Sequence, residues 1–174
     1  QGYCTIGSGA VDWFNTASET GSVLTKPFEH FHFAGNTWSL SGQLHWIEER
    51  LAQVPEGQPR FVFLNVGATD VPHWHEGADW ARWPSPCVPL GSEPCSAAES
   101  ACRQRACLEC VDQQLGPLLD RFAEGTVFVC ADHGDCGGGA GLWEHGISHP
   151  ATLTVHLPMW VGRVSVQTAG APRH

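Results

Sequence analysis

Two short apolar runs, Phe61-Val62-Phe63-Leu64-Asn65-Val66 and Thr126-Val127-Phe128-Val129-Cys130-Ala131, restrict what this chain can fold into more than any other feature. Both are too short for a helix, rich in β-branched and aromatic residues, and lack polar alternation. That is the pattern of a strand covered on both faces. Between them Leu108, Val111, Leu115, Leu118 and Phe122 recur at helical spacing, with Asp112, Gln113 and Arg121 off the stripe. Gly116-Pro117 should kink that helix. Upstream, Leu44, Ile47, Leu51 and Val54 predict a helix of about three turns between Ser41-Gly42 and Pro55. Gly2 to Gly9 is a short β-prone run, followed by a turn-rich stretch through Phe33 in which His30 and His32 alternate with Phe31 and line one strand face. Thr152 to Val166 reads as one or two further strands. This order predicts an α/β fold with a mostly parallel sheet flanked by helices. No linker or repeat divides residues 1–174, which read as a single domain.

A chain of 174 residues can bury about 70% of the surface that its unfolded form exposes, which excludes global disorder. Its formal charge of −9, with Lys26 the only lysine and no basic run, excludes nucleic acid as the expected partner. The apolar runs are far shorter than the ~20 residues of a membrane span, and no signal pattern opens the chain. It starts Gln1-Gly2-Tyr3-Cys4, strand-like from the third residue and without an initiator Met, so a fragment of a longer domain is expected.

Eight cysteines are present, five of them between residues 87 and 110. Cys102, Cys107 and Cys110 have a spacing found in some iron–sulfur proteins, and Cys107 with Cys110 could supply half a zinc site. On a helix, however, Cys102 lies about 500° before Cys107 and points well away from it. A cluster would need a broken helix. Packing residues, or a Cys87–Cys95 disulfide, are the other readings. The cysteine content and the missing signal lean towards a cytoplasmic location.

Ligands in open α/β sheets bind beyond the carboxyl ends of strands. After Val66 come Asp70, His73, Trp74, His75 and Glu76. After Ala131 come Asp132, His133, a glycine-rich stretch, His145 and His149. Asp132 beside His133 offers mixed O/N donors suited to zinc or manganese, and Gly134 lets the backbone turn away. The glycine run lacks a phosphate-loop ending, so its use is mechanical: it can fold His145, twelve residues after His133, back towards the Asp-His pair. Trp74, Trp80 and Trp83 either wall a cleft or pack as half-buried loop residues.

Thr126 to Gly134, then His145-Gly146, then Leu157-Pro158-Met159-Trp160-Val161 resemble the C-terminal part of sulfatase-like hydrolases of the alkaline-phosphatase superfamily. That group includes arylsulfatases, lipoteichoic acid synthases and phosphoethanolamine transferases. Phe61 to Val66 with the Pro72 loop is similar to its middle strand, and Cys110-Val111-Asp112-x-x-Leu115 to the following helix. The opening Gly2 to Gly7 and Asp12 to Asn15 look most like a little-studied bacterial branch. The resemblance spans nearly the whole chain, and Asp132 to Gly146 is its specific block.

The resemblance implies an alkaline-phosphatase-like α/β fold whose N-terminal part is absent, and metal-dependent hydrolysis or transfer of phosphate or sulfate esters. Asp132 and His133 would ligate a divalent ion, zinc first, with manganese or calcium as alternatives. His145, and less directly His149, would bind the ester oxygens or protonate the leaving group. Asp70 stands where relatives carry a substrate-contacting His. His73 or His75 would take over that contact, or Asp70 would ligate a second metal. The substrate would be an anionic ester, on a small molecule or linked to lipid or peptide. Relatives place an acidic ligand and a nucleophile on a first strand and helix that nothing here resembles; Ser8 is not in that context. The fragment alone is therefore expected to be inactive. The rival readings are a non-catalytic metal or iron–sulfur module on Cys102, Cys107 and Cys110, and a degenerate hydrolase kept for protein interaction.

Overall fold

The structure, a computed structural model, describes residues 2–88, 96–155 and 159–161. Three parallel strands form its main sheet: β1 (Cys4–Gly9) lies between β2 (His30–Phe33) and β3 (Arg60–Asn65). The chain leaves β1 for β2 through α1 (Glu19–Thr25), then returns past β1 to β3 through α2 (Leu40–Leu51). The carboxyl ends of β1 and β3 therefore flank a topological switch point, where open α/β sheets receive ligands. The 3-stranded parallel sheet and its helices agree with the predicted α/β class.

Alternation along β1 sorts its two faces. Cys4, Ile6 and Ser8 point to α2, and the core gathers there from Cys4, Ile6, Ile47, Leu51 and Leu118. Gly7 and Gly9 face the other way, beneath Phe14, Phe28, Phe31 and Phe63, whose ring centroids approach to 5.2–5.9 Å. A Cβ on Gly9 would lie 2.4 Å from the Cβ of Phe14, so β1 stays bare on that face to admit the aromatic layer. Buried Gln43 of α2 fastens the core face. Its Nε2 donates to the Ser8 hydroxyl and to the Asn65 carbonyl, both at 3.0 Å. The Asn65 Oδ1 accepts from the Ala10 and Val11 N–H groups at 3.1 and 3.3 Å, tying the ends of β1 and β3 together.

Helix α3 (Ala97–Arg121) is longer than the apolar stripe suggests, because Ser96 caps its Glu99 N–H and Glu99 pairs with Arg103 at 2.8 Å. Pro117 lies inside it. Cys102, Cys107 and Cys110 ride on this one helix, exposed, buried and half-buried in turn. Among the described residues they form no ligand group, contrary to the cluster reading, because the helix is not broken. The Cys107 thiol is pushed up to about 12 by burial and by its neighbours Cys110 and Cys87. The Cys87–Cys95 pairing lies outside the described residues. No helix among the described residues is long and apolar enough to cross a membrane.

The second apolar run departs from expectation. Only Thr126–Phe128 forms a strand (β4), and it pairs antiparallel with β7 (Met159–Val161) rather than joining the main sheet. Phe128 is 60% exposed, so this strand is not covered on both faces; Phe61 on β3 is also 50% exposed. Leu157 and Pro158 lie outside the described residues, as does the tail after Val161, and Thr152 belongs to the short helix α4 (Pro150–Leu153). α1 lies within the stretch that reads as turn-rich, whereas the four-residue β2 agrees with the strand face expected for His30 and His32.

Replacing Gln43 by Leu keeps an apolar stem but leaves one buried and one half-buried acceptor without their donor, at a cost of about 1–3 kcal/mol. Urea unfolding should report that loss for Gln43→Leu and a smaller one for Ser8→Ala, which retains the bond to Asn65.

Candidate metal and anion centre

The loop after β3 starts at Gly67, where a Cβ would come within 2.7 Å of Thr37. A turn closed by the Asp70 N–H on the Gly67 carbonyl, 3.1 Å, then presents Asp70, whose Oδ1 accepts the Val71 N–H at 2.8 Å. The loop after β4 is fixed differently. The Gly134 N–H donates to the Thr152 carbonyl at 3.1 Å, and a Cβ there would lie 2.0 Å from the Ala151 carbonyl oxygen. Only glycine lets the Asp132-His133 segment pack so closely on α4. A hairpin of β5 (Cys136–Gly137) and β6 (Trp143–Glu144) then returns the chain through Gly138, at φ 87°.

That hairpin brings His145 back to His133, with ring centroids 4.0 Å apart. The His145 Nδ1–H donates to Asp135 Oδ1 at 2.7 Å, and Asp70 Oδ1 lies 3.7 Å from the same nitrogen. Donor atoms of His133, Asp135 and His145 all fall within 4.8 Å of one another, a set that could hold a divalent cation. His133 donates from Nδ1 to the Gly134 carbonyl at 3.2 Å. In the neutral ring this contact places the proton on Nδ1 and leaves Nε2 to accept, the arrangement that metal-binding histidines use.

The remaining candidates are placed as follows. Asp132 is 83% exposed; its Oδ1 accepts the His133 N–H at 3.1 Å and lies 3.8 Å from His133 Nε2. His149 accepts the Ala151 N–H on Nδ1 at 3.2 Å and so caps α4, with Cys136 Sγ 3.6 Å away. His73 is buried, adopts φ 54°, and donates from Nδ1 to the Thr69 carbonyl at 3.1 Å. His75 is bound to the Glu76 carbonyl at 3.0 Å and meets Trp80 edge-on. Asp135 is the member that sequence reasoning passed over. Its side chain is only 7% exposed, and the one hint was its place directly after Asp132-His133-Gly134.

Burial, followed by the charge of Asp135, pushes the Asp70 carboxyl above its ordinary range, although Val71, His145 and His133 pull the other way. Burial opposes the charged form of His145, yet the Asp135 hydrogen bond and the charges of Asp70, Asp135 and Glu144 outweigh it and raise its pKa. Burial dominates at His73 and lowers its pKa. Beside Asp70 a cleft of about 260 Å³ is lined by Trp38, Trp74, Trp83 and Arg82. Arg82 lies 3.8 Å over the Trp38 ring. Trp80 is used differently, donating from Nε1 to the His73 carbonyl at 3.2 Å.

No protein-family model matches the sequence, and no curated protein matches it. Among solved structures, the fold is similar to the soluble domain of lipooligosaccharide phosphoethanolamine transferase A from Neisseria meningitidis. The TM-score is 0.61 at 13% identity, over 93% of this chain and 52% of that one. The likeness concerns the fold, and the chain spans about half the length of that domain.

An unfolded imidazole titrates at about pH 6.5, whereas folded His73 takes its proton only at lower pH. Across that window the unfolded chain holds the extra proton, so acidification below about pH 6.5 destabilises the fold, by at most about 1.4 kcal/mol per pH unit. Asn tolerates positive φ and can still donate to Thr69. His73→Asn should therefore flatten the fall in urea midpoint between about pH 7.5 and 5.5; an unchanged slope would assign the effect to other groups.

Proposed function

We propose that this chain carries the ion- and ester-binding part of a metal-dependent hydrolase or transferase acting on phosphate or sulfate esters, as the C-terminal portion of a sulfatase-like catalytic domain. The single observation that carries the reading is the convergence of His133, Asp135 and His145, with the His133 Nε2 lone pair left free by the bond from Nδ1 to Gly134. The likeness in fold to a phosphoethanolamine transferase domain supports it.

In this reading Asp132 and His133 ligate the ion, and Asp135 joins them. An imidazole mixed with carboxylates suits zinc first, then manganese, and calcium, which prefers oxygen alone, least. A bound divalent ion supplies Lewis-acid polarisation of the ester and a lowered pKa for an attacking hydroxyl. The chain's own residues do the rest. His145, held by Asp135 with a raised pKa, keeps a proton that it can give to an ester oxygen or a leaving group. Asp70 borders both this cluster and the tryptophan-lined cleft, whose Arg82 offers a cation to an anionic group. Buried His73 holds the Asp70 turn, and His75 stands further out for substrate contact. His149 keeps Nε2 for a supporting role while Nδ1 caps α4. The substrate is an anionic ester, and a lipid-linked one would suit the named activity of the similar structure. No residue of this chain is assigned as the nucleophile; Ser8 is buried and accepts from Gln43.

The test is calorimetric titration with zinc, then with inorganic phosphate. His133→Ala should remove one zinc equivalent or weaken it at least about 10-fold. Phosphate should bind only to the zinc-loaded chain, and His145→Ala should lose it. Zinc stoichiometry and affinity that survive His133→Ala would overturn the reading.

A further inference from the structure

We propose that Cys4, Glu29 and His30 form a second, separate site for a thiophilic divalent cation such as zinc, at the amino end of the parallel sheet. Cys4 opens β1 and His30 opens β2. The His133 cluster lies instead beyond the carboxyl ends, and β1 alone spans about 17 Å between the two levels.

The register builds the site. Ile6 pairs with His30, so Cys4, two residues earlier on the same face of β1, stands diagonally across from the His30 imidazole. Glu29 lies one residue before the strand. Its N–H donates to Thr5 Oγ1 at 2.8 Å, so its backbone is fixed to β1 while its carboxylate, partly open to solvent, reaches the Cys4 thiol. Sulfur, imidazole nitrogen and carboxylate oxygen all lie within 4.8 Å of one another, with His30 Nε2 3.9 Å from Glu29 Oε1. Donors around a tetrahedral zinc sit about 3.4–3.6 Å apart. The contraction needed is about an ångström, within reach of rotations of the partly exposed His30 and Glu29 side chains about the buried Cys4 sulfur.

The chemistry matches a thiophilic ion better than a hard one. A thiolate, an imidazole and a carboxylate are accepted together by zinc, whereas calcium and magnesium prefer oxygen alone. Cys4 is buried while His30 and Glu29 are partly open to solvent, so an ion can enter and keep a water as fourth ligand. Thiolate and carboxylate together balance the charge of a dication. Burial, and then the Glu29 carboxylate, keep the Cys4 thiol protonated when no ion is present, so binding releases that proton to solvent. Arg60 pairs with Cys4 across β1 and β3, and its Nη2 is engaged by the Val54 and Pro55 carbonyls at 3.5 Å.

Cobalt(II) is the probe, since a thiolate ligand gives it a near-ultraviolet charge-transfer band that the sulfur-free His133 cluster cannot produce. The wild-type chain should develop this band with saturation at one equivalent, and zinc should displace it. Cys4→Ser should abolish the band. Glu29→Gln, which leaves the backbone bond to Thr5 intact and so guards against misfolding, should weaken cobalt binding at least 10-fold, as should His30→Ala. His133→Ala and Cys136→Ser should leave the band unchanged, which separates this site from the ester-binding one. No band in the wild type, a band that persists in Cys4→Ser, or an affinity unchanged in Glu29→Gln would each overturn the assignment.

Discussion

One imidazole stands between two carboxylates, and the candidate site rests on that contact. Asp70 arrives from the end of β3 and Asp135 from the hairpin after β4, elements of two different sheets. His145 meets Asp135 at 2.7 Å and Asp70 at 3.7 Å through the same nitrogen. Without the shared imidazole the two acids would repel across a partly desolvated gap. With it, the loops are drawn together and the cluster still keeps a net negative charge. A cation is what such an arrangement lacks electrostatically.

Below that contact, the scaffold depends on a β1 that is small on one face and sealed on the other. Bare Gly7 and Gly9 let the phenylalanine layer approach, while Ser8 and Ile6 are closed over by α2. Gln43 and Asn65 then satisfy backbone and hydroxyl groups that the sheet ends would otherwise leave unpaired. Polar atoms thereby set the position of the switch point, and apolar burial holds it in place.

Much of this scaffold was legible in the sequence because burial writes itself as periodicity. The stripe of α2 and the run of β3 required no tertiary knowledge. α1 did: it is fixed by the Ser18 cap and by the fit of Gly21 against the Asn15 carbonyl, which no spacing shows. The run at Thr126 to Ala131 reads as doubly covered because apolar content records that a strand resists water, without recording what covers it. The site divides in the same way. His133 and His145 could be picked out by residue type and separation, whereas Asp135 could not, since its nearness to His145 exists only after the hairpin closes. The cysteines of α3 show the converse. Their spacing resembles a cluster motif, and the continuous helix turns Cys102 away from Cys107.

The hairpin of β5 and β6 is a two-residue ladder closed by a glycine turn, with Glu144 held at φ 59°. So short an element buries little of its own surface, and strain at a non-glycine residue subtracts from what it gains. It is thus the part of the site with the shallowest opening free energy. Anything that bridges Asp135 and His145 stabilises the hairpin by mass action in proportion to its own affinity. Occupancy and local order are then two readings of one equilibrium: amide-exchange protection along residues 136–145 rises with ligand concentration, while the β1 core, already at the global limit, does not change.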